Sequence, residues 1–429
     1  MNHSMDQVTV DHYVSVIGTS LQDAPVCCDG GIISAITPPG CWGPMITPRV
    51  FGGHEVTQPV YVEGAEPGDS IAIVIEKLRV VSEYGSSGTD HPNLGFFEGD
   101  PSVKAVCPHC HTANPETYIK GIGEDAVRCS HCGNSILPQT YENGYTVACS
   151  ESDGLAVAVT MKGAIEIAEK TSRGEIFLPE GAQQHLCTIL GRADFSGLPI
   201  RYHPMIGNIG CSPSHKMPAS KNTGDFIDSL NRTDLFTVPP LDKLTDAHMD
   251  INLVGEGCTV LSPVLLPGGG IYFGDAHLTQ GCGEIAGHTL DICAEITVRV
   301  SVMKGLKLEG PVLLPVVSEL DTRFRPFTDE EYMAVGTLYR RYHGSLLPRS
   351  YPIQVVGTGK GMDAALDNAL QRTVHLTGLS MDEVKNRTTV GGGIHIGRTS
   401  GCVLLTILLE EKILERAGLL SLVLNHYVA

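Results

Sequence analysis

Asp275, His277 and Glu284 fall within ten residues, inside the stretch GGGIYFGDAHLTQGCGE that runs from Gly268 to Glu284. Two carboxylates and an imidazole suit a divalent metal ion, and the imidazole favours zinc or its transition-metal neighbours. Asp275 and His277 are two residues apart, so in extended backbone their side chains point to the same side. Gly274, Gly281 and Gly283 punctuate the run and let the chain turn tightly, or let a small substrate approach the backbone. The bland alternative is a polar turn with a solvated Asp and His, and spacing alone leaves both open.

A second signature stands apart from the first. Cys107-Pro-His-Cys110 and Cys129-Ser-His-Cys132 are two C-x2-C knuckles separated by 18 residues, the spacing of a four-thiolate zinc ribbon. His109, His111 and His131 lie close by, but four sulfurs need no further ligand. A closed four-sulfur site keeps no open position for water, so this zinc is a staple and not the reaction centre.

The elements that position these groups are mostly strands. With 49 glycines, 26 prolines and only 18% charged residues, the chain predicts a turn-rich, mainly β fold. Leu261–Leu266 is apolar enough for a buried strand, and Ile271-Tyr272-Phe273 resumes that character. Ser70–Ile75 reads as a strand behind the Pro67-Gly68-Asp69 turn, and His288–Val302 alternates over its second half. Thr328–Arg341 and Met362–Leu376 have helical spacing, Ser380-Met-Asp-Glu383 is a capping box, and Leu404–Ala417 is a further helix candidate. Ala164–Lys170 fits a short helix or a strand. The expected organisation is an N-terminal part of a β core over 1–83 and an insertion over 84–143, with the ribbon at about 105–135. The main β core with the proposed site then spans 144–310, and a C-terminal α/β portion 311–429.

The totals narrow the partners. A formal charge of −18 argues against a nucleic-acid backbone or an anionic membrane. No run approaches the ~20 apolar residues of a membrane helix. The opening MNHSMDQVTVDHY lacks the basic start and apolar centre of a signal peptide. The ribbon accounts for four of the 14 cysteines and the rest are scattered, apart from Cys27-Cys28, which predicts a cytoplasmic protein with reduced thiols.

Several motifs occur in one order: Pro59-Val-Tyr-Val-Glu-Gly-Ala-Glu-Pro-Gly-Asp69, Pro204-Met-Ile-Gly-Asn-Ile-Gly210, His248-Met-Asp-Ile251 and Gly274-Asp-Ala-His277 through Gly283-Glu284. With Met362–Val384 near the C-terminus, they make the chain resemble the acetamidase/formamidase family, amidohydrolases that cleave small amides to carboxylate and ammonia. The resemblance runs from about residue 51 to 417 and leaves out the ribbon. It implies a β-sandwich-like core with a smaller α/β part, a homo-oligomer and a divalent metal, zinc before calcium. The family's acidic and histidine positions fall on Glu63, Asp250, Asp275, His277 and Glu284. Cys282 stands where the family has an acidic residue.

On that footing Asp275 and His277 are the expected ligands of a catalytic metal, with Asp250 completing the set, and Glu284 or Glu63 is the general base. His54, His203 and His248 are second-choice ligands or donors to the substrate. Cys282 is a rival nucleophile, which would need a base and a lowered pKa. Two other functions compete: a hydrolase of another C–N bond, such as a cyclic amide, ureide or N-substituted amide, and a non-catalytic assembly protein. In either case the ribbon is a candidate element of a subunit interface.

Overall fold

The computed structural model describes residues 5–18, 20–40, 54–87, 90–92, 107–113, 115–123, 125–136, 139–141, 144–150, 152–182, 196–227, 240–342, 344–398 and 401–428. Strands dominate, as the composition predicts. Among the described residues the largest sheet has ten strands. Its order is Met5–Val10, Val26–Ile36, Ala294–Met303, Ser70–Val80, Thr259–Pro263, Val312–Leu314, Ser350–Thr358, Cys402–Glu410 and Gly393–Ile396, with Tyr61–Val62 paired to Val26–Ile36 off this path. A four-stranded sheet, Met205–Cys211, Ile271–His277, Val56–Thr57 and Tyr13–Val14, faces it. One apolar cluster joins the two layers, with Ile71, Ile73, Val260 and Val298 from the large sheet meeting Ile206, Ile209 and Phe273 from the small one.

The two central strands of the small sheet, Met205–Cys211 and Ile271–His277, are buried along their whole length. A strand covered on both faces is normally a continuous apolar run. Here Asp275 and His277 interrupt one, so the fold carries ionisable groups into its interior.

Helices Met362–Thr377 and Met381–Gly391 cover the other end of the large sheet, where Ala365, Ala369 and Leu370 pack on Ile353, Val355 and Leu405. The Ser380 capping box forms as its sequence predicts: the Ser380 hydroxyl accepts from Glu383 N at 3.2 Å, and the Glu383 carboxylate accepts from Ser380 N at 3.0 Å. Residues 161–172 settle as the helix Met161–Ser172. The expected helix over Leu404–Ala417 is corrected to the strand Cys402–Glu410 followed by the short helix Glu411–Arg416. The run CVLLTILL is apolar at nearly every position because it sits between two strands, and such a run gives no period to read. Among the described residues no helix is long and apolar enough to cross a membrane.

Candidate active site

Four segments converge on the buried end of the Ile271–His277 strand. Asp275 and His277 come from the strand itself, and His54 precedes its neighbour Val56–Thr57. His248 and Asp250 lie on a segment latched to the other neighbour, where Met249 N and Asp250 N both donate to the Gly207 carbonyl, at 2.8 and 3.1 Å. Asp291 bridges His277 and Ser86, and Asp291 N donates to Ser86 O at 3.0 Å. Arg398 follows the edge strand Gly393–Ile396 and is tied in by its own N–H to Met249 O at 3.2 Å.

Asp275 is the hub of this cluster. Its Oδ1 lies 3.2 Å from His277 Nε2 and 3.5 Å from His54 Nδ1, and its Oδ2 lies 3.1 Å from His248 Nε2. Asp250 Oδ2 is 3.0 Å from the same His248 nitrogen and 3.2 Å from Arg398 Nε. Gln280 Nε2 donates to the Asp250 carbonyl at 2.5 Å, which turns its Oε1 towards His277 Nδ1 at 2.9 Å. His277 therefore donates from Nδ1 and presents Nε2 to Asp275 and to Asp291, whose Oδ1 is 3.4 Å away. A bare imidazole lone pair would not be stable between two carboxylates. That nitrogen needs a proton or a metal ion.

The electrostatics point the same way. Asp250, Asp275, Glu284 and Asp291 are all buried, and Arg398 is the guanidinium among them. Asp250 Oδ1 and Asp291 Oδ2 make no hydrogen bond, a costly state for buried carboxylate oxygens. Burial pushes the Glu284 carboxyl up to about 8, with the Asp250 charge adding to it. Burial likewise lifts Asp291 to about 6 against the pull of His277. Asp275 goes the other way: burial alone would raise it, but His54 and His277 hold it well below the usual carboxylate range. His54 is pulled down to about 3 by burial. His248, which burial would lower, is held up at about 9 by Asp250 and its hydrogen bonds. Two donor sets each bring their ligand atoms within 4.8 Å of one another: Asp250, Asp275 and His277, and His54, His248 and Asp275.

The backbone is strained at the same place. Four non-glycine residues have positive φ among those described, and three are Asp250 at 47°, Asp275 at 57° and Glu284 at 42°. Each left-handed residue costs about 1–3 kcal/mol unless its surroundings enforce it, and such residues gather at functional sites. Asp275 and His277 thus meet on one side through a kinked strand, not through the plain alternation their spacing suggests.

Glu284 has a testable stability signature. Its folded pKa is raised from about 4.5, so its contribution is fully favourable below that value and is lost as pH rises through about 8. In metal-free protein, Glu284→Gln should therefore raise the melting temperature by a margin that widens from pH 5 to 8 and then levels off. A pH-independent margin in thermal melts would contradict the raised carboxyl.

Three other expected site residues are placed elsewhere. Glu63 is exposed, and the acidic residue that organises its string is Asp69, which accepts from Glu66 N at 2.9 Å and Gly305 N at 2.8 Å and pairs with Lys304. The string is a structural turn. His203 Nε2 pairs with Glu319 at 3.0 Å near the surface. Cys282 is exposed, and its sulfur lies 3.4 Å from Ile396 N and 3.5 Å from Ile396 O. Conversely, Asp291, Arg398 and Gln280 were not foreseen. A lone acid between Leu290 and Ile292, ahead of a clean strand, is the signal that singles out Asp291.

The ribbon forms a separate site. Cys107 and Cys132 sulfurs are 3.7 Å apart, Cys110 and Cys129 sulfurs 3.9 Å, and all four lie within 4.8 Å of one another. The knuckles are built alike: His111 N donates to Cys107 O and Gly133 N to Cys129 O, with positive φ at His111 and Gly133. The Thr112 hydroxyl beside Cys110 brings that thiol down to about 6, towards the thiolate a metal needs. The four thiols fit a zinc ribbon.

A family model described as the Acetamidase/Formamidase family matches residues 35–229 and 221–391. Among solved structures, the fold is similar to that of a recombinant predicted acetamidase/formamidase from Thermoanaerobacter tengcongensis, at 17% identity and a TM-score of 0.53, over 96% of this chain and 98% of that one. It is also similar to an acetamidase from Bacillus halodurans, at 17% identity, TM-score 0.52 and coverage of 96% and 99%. An acetamidase from Yersinia enterocolitica matches at 16% identity, TM-score 0.52 and coverage of 95% and 92%. At these identities the structural likeness shows the fold. No match is found among curated proteins.

Proposed function

The chain belongs to the acetamidase/formamidase family, and on that premise we propose a metal-dependent hydrolysis of a small linear amide, of the formamide or acetamide type, to carboxylate and ammonia. It is a hydrolase acting on carbon–nitrogen bonds, which removes the non-catalytic alternative. The observation that carries the metal dependence is the buried Asp250–Asp275–His277 set, with a neighbouring carboxylate oxygen left without a hydrogen bond. These donors are hard oxygens and one imidazole, a set that fits zinc first and calcium second.

In this reading Asp275, His277 and Asp250 hold the ion, and Asp291, beside the same His277 Nε2, adds a carboxylate next to the ligand position. A bound divalent ion supplies an activated water at neutral pH and polarises the amide carbonyl. Gln280 fixes the His277 tautomer so that Nε2 faces the ligand position. Arg398, clamped between Asp225 at 2.8 Å and Asp250 at 3.2 Å, holds Asp250 in place. Glu284 is the general base: a carboxyl lifted to about 8 takes a proton from water and returns it to the departing nitrogen near neutral pH. His54 and His248 border Asp275 at its Oδ1 and Oδ2 and are the candidate donors to the substrate. They also form a second donor set with Asp275, so a second ion sharing that carboxylate is the rival arrangement.

Ammonia release from formamide and acetamide, before and after chelation and on re-addition of zinc or calcium, tests this. Activity that survives complete removal of metal would overturn it. Ammonia from neither amide, with metal intact, moves the substrate to a cyclic, ureide or N-substituted C–N bond. The ribbon gives an independent count, since Cys129→Ser should lower metal content by one equivalent per chain while the Asp275 site keeps its own. Elemental analysis of the two proteins checks it; an unchanged metal count would remove the ribbon zinc.

A further inference from the structure

His248 and Asp250 lie on residues 245–250, a stretch that forms no strand or helix. Its backbone is latched to Gly207 and Ile209. The His248 carbonyl takes a hydrogen bond from a different element: buried Asn222, whose Nδ2 donates to it at 3.0 Å. Asn222 caps the short turn Thr223–Phe226 and is held at its other amide atom. There Oδ1 accepts from Asp225 N at 3.3 Å and from the Thr358 hydroxyl at 3.4 Å. One contact needs a donor and the others an acceptor, and a carboxamide supplies both.

The same turn reaches Asp250 by a second route. Asp225 Oδ2 accepts from Asn222 N at 2.9 Å and from Arg398 Nη1 at 2.8 Å, and Arg398 Nε lies 3.2 Å from Asp250 Oδ2. A third tie holds the start of the stretch. Asp246 accepts from Thr223 N at 3.2 Å and from Arg372 Nη2 at 2.6 Å, while Arg372 Nη1 donates to Val356 O at 2.8 Å. The turn is seated without slack, since a Cβ at Gly224 would stand 2.4 Å from the Thr358 hydroxyl oxygen and 2.9 Å from Gly359 O. Buried ion pairs add little stability over apolar packing of the same shape. Polar ties to Asp246, His248 and Asp250 along one short stretch fix a geometry instead.

We infer that Asn222 is a positioning residue of the catalytic centre, which sets where His248 stands between Asp250 and Asp275 by holding the His248 carbonyl. His248 Nε2 lies 3.0 Å from Asp250 Oδ2 and 3.1 Å from Asp275 Oδ2, so a shift of its backbone disturbs both contacts. The effect on rate rests on the amidase reading of this cluster; the effect on His248 does not.

Asn222→Ser separates the two tasks of the side chain. Serine caps the turn through its hydroxyl but is too short to reach the His248 carbonyl as well. Asn222→Ala removes both contacts. The measurements are kcat and KM for formamide and acetamide, the melting temperature, and the His248 ring signal in NMR spectra of protein carrying isotope-labelled histidine. That signal is identified by its absence in His248→Gln. Asn222→Ser should lower kcat about tenfold or more with KM little changed, shift the His248 signal, and melt within a few degrees of wild type. Asn222→Ala should melt lower still, with no further fall in kcat. Wild-type kcat and an unmoved His248 signal in Asn222→Ser would overturn the positioning role, and so would a kcat that falls in the alanine variant alone, in step with stability. If the wild type releases ammonia from neither amide, the amidase reading fails on its own. The His248 signal then decides: a shift in Asn222→Ser upholds the positioning role and an unmoved signal overturns it.

Discussion

Asp275→Asn should abolish ammonia release, lowering kcat/KM by on the order of 10³-fold or more, while leaving a folded protein. The reason lies in the number of partners that one carboxylate serves: Asp275 sits 3.1–3.5 Å from ring nitrogens of His54, His248 and His277. Asparagine keeps the side-chain volume and tolerates the positive φ of 57° at this position, so the strand geometry survives and only the charge is lost. Without that charge His248 and His277 lose an anion that balances them, and a metal loses the ligand shared by both donor sets. Asp275→Ala should be equally inactive but less stable, since alanine pays for the left-handed backbone by about 1–2 kcal/mol. The measurement is metal content and ammonia release on both variants, with melting temperature as the control. An Asn variant that keeps its metal and its rate would remove Asp275 from the centre of the site.

How much of this was legible in the sequence depends on whether neighbours in the chain are neighbours in the site. Asp275, His277 and Glu284 are close in sequence, and residue type with spacing was enough to pick them out. Arg398 reaches the same place from the far edge of the large sheet and nothing local announces it, while Asp291 is marked only as a lone acid between Leu290 and Ile292. Glu63 shows the opposite failure: it lies in the longest and most specific string, but the string is held by Asp69 for a turn. The mainly β fold followed from glycine, proline and apolar patterning. The Cys402–Glu410 strand was misread because burial between two strands erases the alternation that would have identified it.

Gly207→Ala should be nearly as damaging as removing a carboxylate, although it adds a single methyl group and deletes no functional atom. A Cβ at Gly207 would stand 2.3 Å from Asp250 Oδ1 and 2.8 Å from Asp275 Oδ2. Non-bonded carbon and oxygen do not approach so closely, so both carboxylates must move. They have little freedom to do so. Asp250 is fixed by Arg398 and its backbone by the Gly207 carbonyl, and Asp275 is fixed by three histidines. A displacement of about 1 Å in such a set costs on the order of 10²-fold in rate. Gly40 makes the same case from the other side, where a Cβ would lie 2.3 Å from Asp275 Oδ1 and 2.4 Å from Asp291 Oδ1. Alanine at either position should cut kcat far more than it lowers the melting temperature, and the two together should add little beyond one. Wild-type kcat in Gly207→Ala would mean that the carboxylates can shift without consequence, and that the catalytic centre does not depend on the geometry of this cluster.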